Sequence, residues 1–230
     1  MKQLQVIAFD ADDTLWINEP YFREAEEKVC QLLQDYLPVH STAKELYKTE
    51  IANLPLYGYG GKGFMLSMIE AALSISQQTV DLAVIERIIE IGKALLDHPV
   101  QLLDGVEATL QRLAPHYRLV VATKGDLLEQ QRKLDKSGLA PYFHHIEIMS
   151  EKHADGYQQL LRHLDIGADG FMMIGNSLKS DVLPVLAIGG HAVHIPFHTT
   201  WLHEQIDHHV EHPQFHTCQH LAQVTDLLLA

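Results

Sequence analysis

Residues 5–15 read QVIAFDADDTL, an apolar run that is followed at once by a cluster of acidic side chains. Residues 6–9 have the character of a strand that is buried on both faces. Asp10, Asp12 and Asp13 follow directly, and an apolar core does not accept carboxylates without compensation. We therefore expect a positive partner where this strand ends. The alternative is an acidic turn that caps a helix, since Asp and Thr both suit turns and N-caps.

The order of four short segments indicates a family. The segment from Asp10 to Leu15 resembles the first motif of the haloacid dehalogenase superfamily, DxDx[TV][LI]. The strand-like VVAT that ends at Thr123 is similar to the second motif, and Lys152 has the place of the third-motif lysine. The segment GNSLKSD at 175–181 resembles the fourth motif, GDxxxxD. The resemblance covers residues 1–16 and roughly 100–195.

Composition limits the classes of partner and location. The chain has 230 residues, with 17 Lys+Arg against 30 Asp+Glu and a net charge of −13. This charge argues against nucleic acid or an anionic membrane as the main partner. No run of about 18 apolar residues and no leader pattern is seen. Cys30 and Cys218 are far apart, which predicts neither a disulfide framework nor a thiolate zinc site. We expect a cytoplasmic protein.

The spacing of apolar runs predicts the fold class. Strand-like runs alternate with helix-compatible sequence, and they lie at 4–9, 118–123, 145–149, 170–174 and 191–195. Such alternation predicts an α/β fold with a parallel sheet covered by helices. Two later helices are predicted over 104–117 and 126–139, the second ending at Gly138, and a last one over about 219–229.

The long gap after the first strand predicts an inserted domain. Four helical patterns occur near 20–35, 41–53, 62–75 and 79–96, separated by Pro and Gly positions that include Pro38 and Pro55. We predict a Rossmann-like core formed by residues 1–16 and 97–230, with an all-helical domain over 17–96. The resemblance implies that this helical domain is a cap that closes over the active site.

The resemblance also implies a role for each residue at the carboxyl ends of the strands, where ligands bind in open parallel sheets. Asp10 is the implied nucleophile, which forms an aspartyl-phosphate, and Asp12 is the implied general acid and then base. Thr123 supplies a hydroxyl donor and Lys152 a fixed positive charge. An anionic nucleophile that approaches a phosphate needs a hard cation, for which Mg²⁺ is the expected cofactor. The implied ligands are the Asp10 carboxylate, the Asp12 carbonyl, and the side chains of Asn176 and Asp181.

Main-chain amides also enter this expected site. The N–H groups of Ala11, Asp12, Lys124 and Gly125 are expected to form a concavity that binds the phosphate. Lys124 itself is not expected to be catalytic.

Two positions depart from the family pattern. Asn176 stands where the fourth motif usually has an acid, so a bound cation loses one negative ligand and Asp181 bears more of the charge. His153 follows Lys152 at a position that is often proline. These departures keep open a non-enzymatic alternative, in which the fold is retained as a binding or regulatory module after catalysis was lost. The presence of both Asp10 and Asp12 favours an active hydrolase.

Related chemistries are also weighed. Haloacid dehalogenases use the same first aspartate on carbon and lack the second, so Asp12 favours a phosphatase. Phosphonate cleavage normally needs an additional cap lysine, and the candidates have no recognisable context; they are Lys28, Lys44, Lys48 and Lys62. The favoured prediction is a Mg²⁺-dependent phosphatase that acts on a small phosphorylated metabolite.

Two other segments resemble functional motifs superficially. WLHEQIDHHV at 201–210 is similar to HExxH, yet Asp207 occupies the second ligand position and His208 is expected to turn away on a helix. YGYGGKGF at 57–64 lacks the order of a P-loop, so we interpret it as a mobile linker between helices. Weak candidates for substrate contacts in this linker are Tyr57, Tyr59 and Lys62.

Overall fold

A six-stranded parallel sheet forms the centre of the computed structural model, which describes residues 4–229. Its strands in chain order are β1 (Val6–Phe9), β2 (Arg118–Lys124), β3 (His145–Met149), β4 (Phe171–Gly175), β5 (His191–His194) and β6 (Phe215–Thr217). Their order in the sheet is β3-β2-β1-β4-β5-β6. The predicted α/β class with a Rossmann-like parallel sheet is confirmed.

Helices separate the strands from β1 to β5 along the chain, and a last helix follows β6. They are α1 (Glu19–Leu32), α2 (Val39–Tyr57), α3 (Gly61–Ile75), α4 (Leu82–Asp97), α5 (Val106–Leu113), α6 (Leu127–Ser137), α7 (Ala154–Leu164), α8 (Leu183–Ala187) and α9 (Ala222–Leu229). The predicted end of α6 is confirmed, because Gly138 adopts φ +72° directly after the last helical residue. A glycine meets this left-handed conformation without steric cost.

The alternation of side chains along β1 produces two cores, one on each face of the sheet. Ile7 and Phe9 pack into a cluster that includes Leu110 of α5. Val6 and Ala8 point to the opposite face, into a second cluster that includes Tyr157 and Leu160 of α7. All four side chains of β1 are fully buried, which explains why this strand is apolar at every position rather than at every second one.

The chain divides into two compact units. The first holds the chain up to Glu19, Val100–Lys124 and the chain from Gln131 onward, and it contains the sheet. The second holds Pro20–Pro99 together with Gly125–Gln130. The domain bounds 1–16, 97–230 and 17–96, and the role of the helices as a cap, stay predictions from the resemblance.

The second unit has its own apolar core. Val29 of α1, Met68 of α3 and Ile88 of α4 are fully buried there. The predicted helix over 41–53 is longer than expected, because α2 continues through Pro55 to Tyr57. Proline lacks a main-chain N–H and removes a hydrogen bond from a helix. Three residues later the N–H of Gly58 bonds to the carbonyl of Leu54, so the last turn is closed.

Two expectations for short elements need correction. The strand β6 was not expected, because it has only three residues, FHT, with a single apolar side chain, and it lies at the sheet edge, where apolar patterning is weak. The segment 57–64 is not simply a linker, since α2 ends at Tyr57 and α3 begins at Gly61. Only residues 58–60 separate these helices. Across residues 4–229, none of the helices has the length and apolarity to cross a membrane.

Candidate active site

The carboxyl end of β1 lies where the strand order reverses. Phe9 is paired with Val121 of β2 on one side and with Ile174 of β4 on the other. The chain continues outward from β1 to β2 and β3, then returns to the other side with β4. In open α/β sheets such a switch point is the usual place for a ligand. Asp10 follows β1, and Asn176 follows β4 at this edge.

Asp10 is held in a buried ion pair. Its main-chain N–H bonds to the carbonyl of Ile174 at 2.9 Å, which continues the sheet by one residue. The Lys152 ammonium donates to its Oδ1, and both side chains are buried. Burial raises the pKa of Asp10 to about 7, opposed by the charge of Lys152 and reinforced by that of Asp181. The expected meeting of Asp10 and Lys152 is therefore present in the structure.

Lys152 also binds the second acid of the fourth motif. Its Nζ lies 2.6 Å from Oδ1 of Asp181. Burial lowers the pKa of Lys152, but the charges of Asp10 and Asp181 outweigh burial, and the pKa is raised above its usual value. A single ammonium therefore lies between two carboxylates that come from residues 171 positions apart.

A glycine makes room for Asp181. A Cβ added to Gly175 would lie 2.1 Å from Oδ2 of Asp181, so any other residue at position 175 would displace this carboxylate. The same Oδ2 accepts the main-chain N–H of Ser177 at 3.0 Å. Asp181 thus has one oxygen bound to Lys152 and the other bound to its own loop. The short segment between Gly175 and Asp181 includes a π-helical turn over Leu178–Val182.

Thr14 connects Asp10 with Asn176. Its hydroxyl lies 3.4 Å from Oδ2 of Asp10 and 3.4 Å from Oδ1 of Asn176. No role was predicted for Thr14 from the sequence, although this threonine is one of the specified positions of the first motif. The structure therefore brings together Asp10, Lys152, Asp181 and Asn176, with Thr14 as an additional member.

The carboxylate of Asp12 forms an ion pair with a different lysine, Lys133. Its Oδ1 accepts from Lys133 Nζ of α6 at 2.7 Å and from Trp16 Nε1 at 2.7 Å. Lys133 also donates to the side-chain carbonyl of Asn18 at 3.1 Å. Lys133 was not found from the sequence, because a lysine within a helix between two motifs carries no distinguishing pattern. The structure thus places Asp12 with Lys133, apart from the pair formed by Asp10 and Lys152.

Asp13 fits the helix-capping alternative that the sequence analysis left open. Its carboxylate accepts the N–H groups of Asn18 and Glu19 at 2.8 and 3.0 Å, where α1 begins. Burial raises the pKa of Asp13 to about 8, although these two N–H groups oppose the rise. Of the three acids in the first motif, Asp13 is the one that binds the start of a helix.

The second-motif threonine lies at the end of β2. Thr123 is buried, and its hydroxyl donates to the carbonyl of Lys124 at 3.2 Å. Lys124 places its ammonium 2.5 Å from Oε1 of Glu204. Glu204 was not predicted to lie here, because in the sequence it stands out only as the glutamate of a superficial HExxH.

Contrary to the expectation, the HExxH-like segment does not form an α-helix. Leu202–Glu204 form a single 3-10 turn, and His208 lies in irregular chain beyond it. The expectation of a helix at His208 is wrong, because Gln205 already has extended φ and ψ and ends the turn.

The oxygens at the carboxyl edge fit a hard divalent cation. Carboxylate, amide and carbonyl oxygens are the ligands that Mg²⁺ prefers, and Asp10, Asn176 and Asp181 carry such oxygens around Thr14 and Lys152. Within residues 4–229, no group of three or more His, Cys, Asp or Glu side chains has the arrangement of a metal site. The expected ligand set contains only two carboxylate side chains, because its other members are an amide and a main-chain carbonyl.

Comparison with known proteins identifies the family of this chain. The model of the haloacid dehalogenase-like hydrolase family matches residues 4–189. A haloacid dehalogenase-like family hydrolase from Xanthomonas campestris has 38% sequence identity and a TM-score of 0.89, with 99% of this chain and 91% of that chain covered. The putative HAD-hydrolase YfnB from Bacillus subtilis is 26% identical over 199 residues, which cover 79% of this chain and 80% of YfnB.

Solved structures with lower identity share the fold. A magnesium-bound structure of YfnB has a TM-score of 0.66 at 18% identity, with 99% of this chain and all of that chain covered. A 2-haloacid dehalogenase from Pseudomonas syringae has a TM-score of 0.67 at 19% identity, with 98% of each chain covered. Further neighbours are described as phosphatases and as dehalogenases. With a family match over most of its length, this chain belongs to the haloacid dehalogenase-like hydrolases.

Proposed function

We propose that this hydrolase is a Mg²⁺-dependent phosphatase that cleaves a small phosphorylated metabolite through an aspartyl-phosphate on Asp10. The observation that carries the proposal is the second carboxylate, Asp12, which lies two positions after Asp10 and has its own cation and an indole donor. The family resemblance implies that the haloacid dehalogenases of the superfamily lack this second acid. An acid held beside the nucleophile is what departure of an alkoxide requires.

Asp10 is the nucleophile in this proposal. One of its oxygens attacks phosphorus, a P–O bond to Asp10 forms, and the bond to the leaving oxygen breaks. The Lys152 ammonium counteracts the effect of burial on Asp10 and lies where it reduces repulsion between two anions. When Mg²⁺ is bound, it neutralises negative charge on the phosphate oxygens and on Asp10. The groups that would hold the ion are the Asp10 and Asp181 carboxylates, the Asn176 amide oxygen and the Asp12 carbonyl.

Asp12 acts twice in the proposed reaction. It first donates a proton to the leaving oxygen, and it then removes a proton from the water that attacks the phosphorylated Asp10. Release of inorganic phosphate restores both aspartates. Because Lys133 and Trp16 both donate to Oδ1 of Asp12, they orient its carboxyl group. Thr123 and the amides of Ala11, Asp12 and Lys124 supply hydrogen bonds to the phosphate.

Hydrolysis of 4-nitrophenyl phosphate tests the proposal. Turnover is expected with Mg²⁺, and it is expected to vanish in EDTA and return when Mg²⁺ is added in excess. Chloride release from 2-chloropropionate, measured on the same protein, tests the dehalogenase alternative. Chloride release without phosphate release would overturn the proposal. Folded protein with neither activity on aryl or metabolite phosphates would favour the binding or regulatory alternative.

A further inference from the structure

The carboxylate of Glu204 is bound by side chains from two catalytic loops. Glu204 lies in the long connection between β5 and β6. Its Oε1 accepts from Lys124 Nζ at 2.5 Å, and its Oε2 accepts from the hydroxyls of Ser177 and Ser180 at 2.5 Å each. The side chains of Lys124 and Glu204 are only 14% and 13% exposed, so this cluster is largely removed from water.

The partners of Glu204 are next to the expected site residues. Lys124 directly follows Thr123 at the end of β2. Ser177 and Ser180 lie between Asn176 and Asp181, in the loop of the fourth motif.

Hydrogen bonds continue from the two serines to Asp181. The Ser177 hydroxyl accepts the main-chain N–H of Ser180 at 3.0 Å, and the Ser177 N–H donates to Oδ2 of Asp181 at 3.0 Å. Tyr157 adds a bond from its hydroxyl to the carbonyl of Ser180 at 3.0 Å. A change at Glu204 therefore reaches Asp181 through two consecutive hydrogen bonds.

Glu204 is charged in this environment. Burial raises its pKa, but the ammonium of Lys124 and the two hydroxyls outweigh burial and lower the pKa to about 2. A charged carboxylate can accept all three donors at once, whereas an amide in its place can offer only one oxygen. Removal of one partner from a buried ion pair also leaves the other charge without compensation.

We propose that Glu204 is a positioning residue that fixes the loop from Asn176 to Asp181, and with it the ligands of the divalent cation. The cation itself rests on the function proposed above. Among residues 4–229, the hydrogen bonds of the Glu204 carboxylate go to Lys124, Ser177 and Ser180. Glu204 acts through Ser177, Ser180 and Lys124. This positioning role differs from the role that the glutamate of an HExxH motif would have.

The test compares Glu204→Gln with Glu211→Gln. Glu211 lies in the same connection, is 87% exposed and pairs only loosely with His209 at 3.7 Å, so it is a matched control. Hydrogen exchange is followed in peptides that cover residues 175–183, in protein without metal. Faster exchange in these peptides is expected for Glu204→Gln and not for Glu211→Gln, while exchange in β1 stays as in the wild type.

Direct binding of Mn²⁺ gives a second measurement that does not depend on turnover. Substitutions behind metal ligands weaken metal binding about 10- to 100-fold, so Glu204→Gln is expected to raise the Kd for Mn²⁺ about tenfold. Lys124→Met and the double variant complete a cycle. If the pair works as one unit, the double variant binds Mn²⁺ no more weakly than the weaker single variant.

The outcomes separate this inference from the proposed function. Unchanged exchange in 175–183 together with an unchanged Kd for Mn²⁺ would overturn the role of Glu204, whatever the enzyme hydrolyses. Faster exchange in a protein that proves inactive on phosphates would support Glu204 and defeat the phosphatase. Ser180→Ala removes one hydroxyl only and is measured in the same way, so the question is answered even where Glu204→Gln does not fold.

Discussion

Asp10 and Asp12 are separated by one residue, yet their carboxylates occupy two different electrostatic environments. The Asp10 side chain is 10% exposed and shares Lys152 with Asp181. The Asp12 side chain is 25% exposed and is bound by Lys133 and Trp16. Two neighbouring acids with the same cation would compete for it, whereas separate cations allow each acid a separate task. The difference teaches that the first motif alone does not define the roles, because the lysines that distinguish its acids come from α6 and from the loop after β3.

The largest effect is expected for Asp10→Asn. The amide cannot attack phosphorus, so kcat/KM for 4-nitrophenyl phosphate is expected to fall at least about a thousandfold, as is typical when a nucleophile is removed. The variant keeps the shape of the side chain, and circular dichroism provides the control for folding. A residual activity within tenfold of the wild type would show that Asp10 is not the nucleophile.

Asp12→Asn is expected to cost about 10²- to 10⁴-fold in steady-state turnover, the range of general acid and base catalysis. Nitrophenol is a good leaving group that needs little protonation. The substitution is therefore expected to slow formation of the aspartyl-phosphate less than its hydrolysis. We therefore expect a rapid burst of nitrophenol that approaches the enzyme concentration, followed by slow release, in stopped-flow measurements. Asp10→Asn must show no burst. A burst missing from both variants would remove the distinction between the two acids.

The two lysines are expected to differ in their effect on stability. Lys152→Met leaves two buried carboxylates without their cation and is expected to lower the free energy of unfolding by about 3 kcal/mol. Lys133→Met removes the cation of Asp12, an acid that is already partly exposed to water. The free energy of unfolding is therefore expected to fall by only about 1 kcal/mol. Urea titrations in EDTA compare the two variants. Equal losses would argue against different environments for Asp10 and Asp12.

The smallest effect is expected for Asn176→Asp, which restores the acid of the family pattern. One more negative ligand strengthens the attraction for a divalent cation. We expect the Mg²⁺ concentration for half-maximal activity to fall about three- to tenfold, a shift of about 1 kcal/mol, with kcat changed little. A metal titration of the phosphatase reaction measures this. A higher requirement for Mg²⁺ in Asn176→Asp would mean that the amide does not occupy a ligand position.

The sequence was informative where a pattern is local. The apolar run at 6–9 predicts β1, and the spacing of later apolar runs predicts the four strands from β2 to β5. Lys152 was found only because its place among four ordered motifs is specific. In contrast, β6 has only three residues at an edge of the sheet, one of them apolar, and no periodicity marks it.

Residues that act through distant partners were not predictable. Lys133 lies 121 positions from Asp12, and Glu204 lies 80 positions from Lys124. Neither distance is encoded in any local pattern, since contacts of this kind exist only after the sheet has formed. Thr14 is different, because the first motif specifies it, and its bridging position between Asp10 and Asn176 gives that motif position a physical reason.

Mass spectrometry of the Asp12→Asn variant, quenched in acid shortly after it is mixed with Mg²⁺ and 4-nitrophenyl phosphate, tests the central claim most directly. Loss of the general base slows hydrolysis of the intermediate, so a phosphorylated peptide that contains Asp10 is expected to accumulate. The same peptide from the variant with both Asp10→Asn and Asp12→Asn must remain unmodified. Nitrophenol release by Asp12→Asn without a phosphorylated peptide, or phosphorylation at a residue other than Asp10, would contradict the account.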